Sequence, residues 1–394
     1  GRGLAPSRVA SGLARGWRAV RPDDALTLRP TADGGPGSAQ VIAPERVASR
    51  EVIQGRGPLG QVREVDLVRL VPRPSRSGSR HPAEASTWFL DAGRLLALPA
   101  DHDEAAQEAL EGSTYGLGRV IGAALSRTGP SDTLLVGMSR SAVHDGGAGA
   151  IDALGGLRAA KDLLSHRSLG LVLADDIALG GMNGAGAALA SVTSISPERA
   201  QELDRRACAW AMEGVSEAQE FDPGASGARR SLPVVSALDD VGLSASKHAA
   251  GSAGSVRLSV STWGTGAAGG SALVLRALGA WARPGARVMA EIIGLGDAVR
   301  GQDLVVAASG ELYDVLADGV VGVVGQQAAS QALPCILVSG RCAVTRGELA
   351  AAGVTNAYGM QESHATEPWD ANDSHGLEAR LVDLGSRLAR TWSR

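Results

Sequence analysis

The stretch Leu134–Gly156, LLVGMSRSAVHDGGAGAIDALGG, sets the strongest limit on what this chain can fold into. Its apolar start, Leu134–Gly137, predicts a buried strand. The chain then passes through small residues to Asp145-Gly146-Gly147, which opens a helix. Strand, glycine-rich turn and helix form the repeating unit of an α/β protein. Glycine permits close backbone approach, and a helix start offers unpaired N–H groups to an anion. The turn matches neither G-x-x-x-x-G-K-S/T nor G-x-G-x-x-G, which disfavours a P-loop ATPase and a standard dinucleotide fold. A second Asp-Gly-Gly stands at Asp33-Gly34-Gly35. Two such turns could face each other across one cleft.

The 394 residues suffice for two or three domains. A formal net charge of −4 gives no basic face for nucleic acid, so none is expected as a partner. Only Lys161 and Lys247 are lysines, so arginine must supply most cationic contacts. Cys208, Cys335 and Cys342 lack the spacing of a disulfide framework or metal site and read as packing residues. No secretory signal or membrane-length apolar run is evident, so the expected compartment is the cytoplasm, with no membrane partner. The first residue is not Met, which leaves room for an upstream start.

Along the chain, a helical stripe of Val9, Leu13 and Val20, extended by Trp17, predicts a helix over 6–20. Ala25–Pro30 reads as a short strand leading to Asp33, whose carboxylate suits a ligand hydroxyl or a hydrated Mg²⁺, or simply an Asp-Gly turn. Alternation predicts a strand within 58–70. The segment Pro72–Pro82 reads as an exposed loop. Trp88–Leu90 and Arg94–Leu98 look like short strands or turns. Ser113 or Thr114 should cap a helix carrying Leu117, Val120, Ile121, Ala124 and Leu125, and their hydroxyls suit a phosphate or carboxylate. Leu169–Ala174 predicts a strand ending at Asp175 and Asp176, which read as metal or ligand contacts or as loop acids. Ser196-Pro197 starts a helix running to about Met212. Residues 216–233 and 246–256 read as loops.

Gly264-Thr265-Gly266, within the knot Gly264–Gly270, fits either close ligand approach or tight packing before a helix at 271–279. Arg287–Ala290, Leu304–Ala307, Ile336–Val338 and Val354–Tyr358 look like strands. Helices are expected near 314–331 and 345–352, the second with the capping box Thr345–Glu348. Leu377, Leu381, Leu384 and Leu388 line one face of a terminal helix. Both chain ends alternate strand and helix, while the middle has another rhythm. This predicts one domain from residues 1–56 and 297–394, with a second, 57–296, inserted.

These motifs together resemble the bacterial glycerate kinase family, unrelated to P-loop proteins. The family phrase M-A-D-G-G-E-G-T is similar to Thr31–Ser38, T-T-Y-G-T-G to Ser113–Gly118, and G-G-S-A-T-N-D-G-G-A-G to Ser139–Gly149. G-A-G-A-A-G-G resembles Gly264–Gly270, and G-P-L-G is intact at Gly57–Gly60. The resemblance implies an α/β fold: a flavodoxin-like, three-layer domain from both chain ends, with a mixed α/β domain inserted. It implies ATP-dependent phosphorylation of D-glycerate with Mg²⁺, by a monomer or homodimer.

Carried over residue by residue, the resemblance implies Asp145, Asp33 and His144 as catalytic candidates. Gly34, Gly35, Ser113, Thr114, Ser141, Gly146, Gly147, Gly264, Thr265 and Gly266 would bind substrate or phosphate, and Asp175 and Asp176 a metal. Several family positions differ. The opening A-P-D-S-F-K-G strand is absent from this sequence apart from its end near Gly1. The family's T-G-E-G-R-L-D-x-Q-S-x-x-G-K aligns with Ala307–Val320. There Ser309, Glu311, Tyr313, Val315 and Val320 replace Glu, Arg, Asp, Gln and Lys. His144 replaces Asn and Val143 replaces Thr. Two functions are therefore carried forward: an active glycerate kinase, and a catalytically impaired paralogue that binds a ligand or protein partner.

Overall fold

The structure, a computed structural model, describes residues 4–72, 85–221, 258–315, 318–360 and 374–393. It is an α/β protein of two compact units. One comprises Gly1–Asp33, Gln40–Ala43 and Gly285–Arg394; the other comprises Gly34–Ala39 and Pro44–Pro284. The divisions thus fall near 43/44 and 284/285, not at 56/57 and 296/297. The reason is pairing: the strand Val47–Arg56 runs antiparallel to Val62–Leu70 along its whole length.

The second unit holds a six-stranded sheet in sequence order: β1 (Val47–Arg56), β2 (Val62–Leu70), β3 (Thr87–Leu90), β4 (Thr133–Met138), β5 (Ser168–Leu173) and β6 (Trp281–Pro284). β1, β2 and β3 are antiparallel neighbours; β3 to β6 are parallel. Leu90, Val136, Met138, Leu171 and Leu173 face a core shared with helices Tyr115–Leu125, Ala148–Ala153, Leu157–Ser165, Pro197–Glu220 and Ser271–Ala277. Phe89, Leu135 and Val172 are buried on the opposite face, as period-two alternation requires. Parallel strands of this kind direct their C-terminal ends to one edge, where loops gather.

The first unit has a parallel three-stranded sheet, β7 (Val305–Leu312), β8 (Cys335–Cys342) and β9 (Asn356–Gly359). Helices Pro6–Val20 and Ser374–Trp392 pack together, burying Leu381, Leu384 and Leu388 with Ile336 and Val338. Val9, Leu13 and Trp17 complete this layer. Helix Val320–Ser330 contacts β7 and β8, and helix Gly285–Ile293 packs on it. Gly16 allows the terminal helices to touch, since a side chain there would collide with the Val382 carbonyl.

Several local expectations change. Ala25–Pro30 forms no strand, while of the two options for Arg94–Leu98 the structure shows a turn. Arg287–Ala290 lies in the helix Gly285–Ile293, because a short apolar run does not distinguish strand from helix. The helix expected over 314–331 starts at Val320, and that from Pro197 continues to Glu220, taking in the start of the expected 216–233 loop. The Pro72–Pro82 loop beyond Pro72, the remainder of 216–233 after Phe221, and 246–256 lie outside the described residues. Thr345 and Glu348 form the expected capping box. Cys208, Cys335 and Cys342 are free thiols. Burial pushes the Cys208 thiol up to about 12, with Asp204 adding to the effect. Among the described residues no helix is long and apolar enough to cross a membrane.

Candidate active site

The C-terminal edge of β3–β6 collects most of the motifs. Gly34–Ala39 belongs to this unit and crosses the face opposite the helices. Gly34 has φ +90° and lies so close to β5 that a side chain would sit 2.6 Å from Val172 Cγ1. Gly93 approaches Gly35 in the same way. Ser38 Oγ donates to the Gly35 carbonyl at 2.7 Å.

Asp91 holds this segment. It follows β3, is fully buried, and accepts from Ala39 N at 3.0 Å and Gly37 N at 3.3 Å. Burial pushes its carboxyl up to about 6, against the two N–H groups and Arg94. From β1, Arg50 Nη2 donates to the Ala39 carbonyl at 2.9 Å while Nη1 lies 3.6 Å from Asp66. Sequence reasoning missed Asp91. Its one signal was an acid leaving a buried apolar strand, Trp88-Phe89-Leu90-Asp91.

The Ser139–Gly147 loop leaves β4. Asp145 accepts at Oδ2 from Thr114 N (2.9 Å) and Gly149 N (3.1 Å), and at Oδ1 from Gly147 N (2.9 Å). The Thr114 hydroxyl reaches both oxygens, at 3.0 and 2.8 Å. Asp145 therefore ties the start of helix Tyr115–Leu125 to the start of helix Ala148–Ala153. Thr114 occupies the cap position without a side-chain capping bond, and Ser113 Oγ accepts instead from Tyr115 N at 3.1 Å. His144 is buried, its Nε2 3.0 Å from Asp204 Oδ1. Ser141 Oγ accepts from Val143 N at 3.1 Å.

The knot Gly264–Gly270 packs directly on this loop. A side chain on Gly147, at φ +88°, would lie 2.8 Å from Ser271 Cα. Gly264 N donates to the Asp176 carbonyl, Gly266 N to that of Ile177, and Ala268 N to that of Ser139. Thr265 is fully buried; its hydroxyl donates to the Thr262 carbonyl at 2.6 Å and accepts from Leu179 N at 3.0 Å. Of the two expectations for this knot, the observed geometry is tight backbone packing.

Asp175 and Asp176 follow β5. Asp175 Oδ2 accepts from Arg140 Nε at 2.6 Å and its Oδ1 from Ile177 N at 3.0 Å. Among the described residues no three His, Cys, Asp or Glu side chains gather into a metal-binding group. Asp33 is exposed and lies in the first unit.

A cavity of about 320 Å³ opens between two further motifs, lined by Arg56, Gly57, Pro58, Gly60, Ser113, Tyr115 and Gly116. The Ser113 amide donates to the Pro58 carbonyl at 3.1 Å and joins them. Arg63 packs against Gly57, donates to the Leu95 carbonyl at 2.7 Å and pairs with Glu108 at 3.3 Å. The Glu108 carboxyl is fully buried, with Oε2 lacking a hydrogen-bond partner. Burial pushes it up to about 7 although Arg63 opposes the shift. Glu108 gave no sequence signal, since it lies mid-helix among alanines.

Comparison with known proteins agrees with these motifs. The chain matches the glycerate kinase family over residues 2–183 and 233–393. An uncharacterized protein of Mycobacterium bovis is 27% identical over 366 residues, covering 92% of this chain and 82% of that protein. A glycerate kinase of Halalkalibacterium halodurans is 31% identical over 148 residues, 38% of this chain and 35% of that enzyme. The matched segment is about a third of that enzyme's length. A crystal structure assigned as glycerate kinase 2 from Salmonella typhimurium LT2 shares the fold, with a TM-score of 0.64 and 19% identity over 99% of this chain and 94% of that one. Matched across both units and through every motif that meets at the sheet edge, the chain belongs to the glycerate kinase family.

Proposed function

We propose that this chain transfers the γ-phosphoryl group of ATP to a hydroxyl of D-glycerate. The observation that carries the reading is the gathering of Gly34–Ala39, Ser139–Gly147, Asp175–Asp176 and Gly264–Gly270 at one edge of parallel strands, in a member of this family. In the reaction the glycerate hydroxyl oxygen bonds to phosphorus, the bond from phosphorus to the ADP oxygen breaks, and the hydroxyl proton passes to a base. Catalysis of this kind depends on positioning and on charge placed around the phosphoryl oxygens.

The roles follow the geometry. Both oxygens of Asp145 already accept hydrogen bonds from Thr114, Gly147 and Gly149, so Asp145 fixes the loop instead of taking the proton. The family resemblance offers Asp33, next in the chain to Gly34, as the acid that takes it. Ser113 and Arg56, on the cavity wall, suit a carboxylate or phosphate oxygen. Bound Mg²⁺ would supply positive charge that offsets the charge developing on the transferred phosphoryl group. Asp175 and Asp176, which follow β5, are the residues proposed to hold the ion, Asp175 while also paired with Arg140.

The second reading, a ligand-binding member without catalysis, draws on 307–320. Tyr313 donates to Glu311 Oε2 at 3.0 Å and lies beneath Arg341, so the acid at the end of β7 is engaged locally. A coupled assay for ADP release on D-glycerate with Mg²⁺-ATP should show turnover. No turnover by folded protein would overturn the kinase reading; ATP binding by calorimetry would then favour the second.

A further inference from the structure

We propose that Arg140 is an oxyanion-binding cation of this site, held by Asp175 and presented to the phosphate of ATP or to the carboxylate of the acid. The inference rests on the kinase reading for its substrates and on the geometry for its chemistry.

Arg140 stands two residues beyond β4, on the edge where the motif loops meet. Its backbone is fixed on both sides. Ser139 Oγ donates to the Gly93 carbonyl at 3.2 Å, and the Ser139 carbonyl accepts from Ala268 N at 2.9 Å. On the other side, Ser141 Oγ accepts from Val143 N. The glycerate kinase phrase quoted above has glycine where Arg140 stands, so this chain adds a charge at a point where its relatives' phrase has no side chain.

The side chain is oriented yet reachable. Its Nε donates to Asp175 Oδ2 at 2.6 Å, and the other Asp175 oxygen is anchored by Ile177 N. Arg140 remains 40% exposed while Asp175 is 17% exposed. A guanidinium carries five N–H donors in a planar fork. The bond to Asp175 engages Nε, and among the described residues neither Nη group makes a hydrogen bond. The neighbouring arginines are engaged differently: Arg50 with the Ala39 carbonyl and Asp66, and Arg94 beside buried Asp91. A pinned Nε on a side chain that stays 40% exposed suits bidentate contact of the guanidinium with phosphate or carboxylate, which lysine cannot reproduce. Among the described residues the one lysine, Lys161, lies on the helix Leu157–Ser165.

The test compares wild type with Arg140→Ala and Arg140→Lys, each checked by thermal unfolding. The expected result is that Arg140→Ala raises the KM for one substrate at least tenfold while the other KM changes less than threefold. A rise for ATP assigns the phosphate as ligand, and a rise for D-glycerate the carboxylate. Arg140→Lys should recover only part of the loss, because charge returns without the fork. Both KM values within twofold of wild type would overturn the proposal. If Arg140→Ala does not fold, Arg140→Lys decides by the same criterion with a threefold threshold. If wild type shows no turnover at all, the kinase reading fails separately. Calorimetric titration with inorganic tripolyphosphate and with D-glycerate then decides: binding to wild type that weakens at least tenfold in the variant supports Arg140, and unchanged or absent binding overturns it.

Discussion

The Thr114 hydroxyl donates to the Asp145 carboxylate at 2.8 Å and accepts from the Ala150 amide at 2.9 Å, joining two helix starts through one oxygen. Thr114 is fully buried, so neither contact can be replaced by bulk water. The Asp-Gly-Gly turn owes its shape to this pair, and it is the reason Asp145 reads as a residue that positions the loop.

Thr114→Val should therefore destabilise the protein by about 2–3 kcal/mol, since an amide and a carboxylate oxygen lose a buried partner. Thr114→Ser should recover most of that. Urea denaturation measures both; a loss below about 0.5 kcal/mol for Val would show that the hydroxyl does not hold the turn.

Asp91 predicts a pH dependence of defined sign. Its folded carboxyl lies at about 6, above the ordinary carboxylate value of 3.8. A raised acid contributes stability below its unfolded value and loses it as pH rises through the folded one. Asp91→Asn removes this titration, so between pH 4 and pH 7 the variant should gain on wild type by on the order of 3 kcal/mol. Thermal unfolding of both proteins across that range gives the difference directly. A constant difference would mean that Asp91 titrates normally.

The buried pair Arg63–Glu108 should respond unequally to its two single substitutions. Arg63→Met strands a fully buried carboxyl and should cost about 3–5 kcal/mol at pH 8, and less at pH 5, where Glu108 is protonated. Glu108→Gln avoids a buried charge and should cost less than Arg63→Met at pH 8. Chemical denaturation at the two pH values tests the order.

Two glycines with the same φ separate packing from backbone strain. Gly60 and Gly147 both have φ +88°, but a side chain on Gly60 meets nothing within 4 Å, whereas one on Gly147 lies 2.8 Å from Ser271 Cα. Gly60→Ala should cost roughly 1 kcal/mol from the left-handed backbone alone. Gly147→Ala should cost about 1–3 kcal/mol more from overpacking. Equal losses would remove the packing explanation for the motif glycine.

The sequence by itself determined the elements whose signals are local. The apolar stripe and early proline gave the helix Pro6–Val20, the leucine spacing gave the terminal helix, and Thr345 with Glu348 gave a capped start. The motif order also marked the family, because phrases with fixed glycines survive where general identity is low. β1 was not legible: Val47–Arg56 is an edge strand with mostly exposed side chains, so its faces carry no clear alternation. Only the tertiary structure decided how the polar residues are used. Asp91 reaches back 52 positions to Ala39, Asp145 reaches back 31 to Thr114, and Arg140 reaches forward 35 to Asp175. Whether a carboxylate is spent on backbone amides, paired with a guanidinium or left for a ligand depends on which chain segments fold against it, and spacing along the sequence carries no record of that.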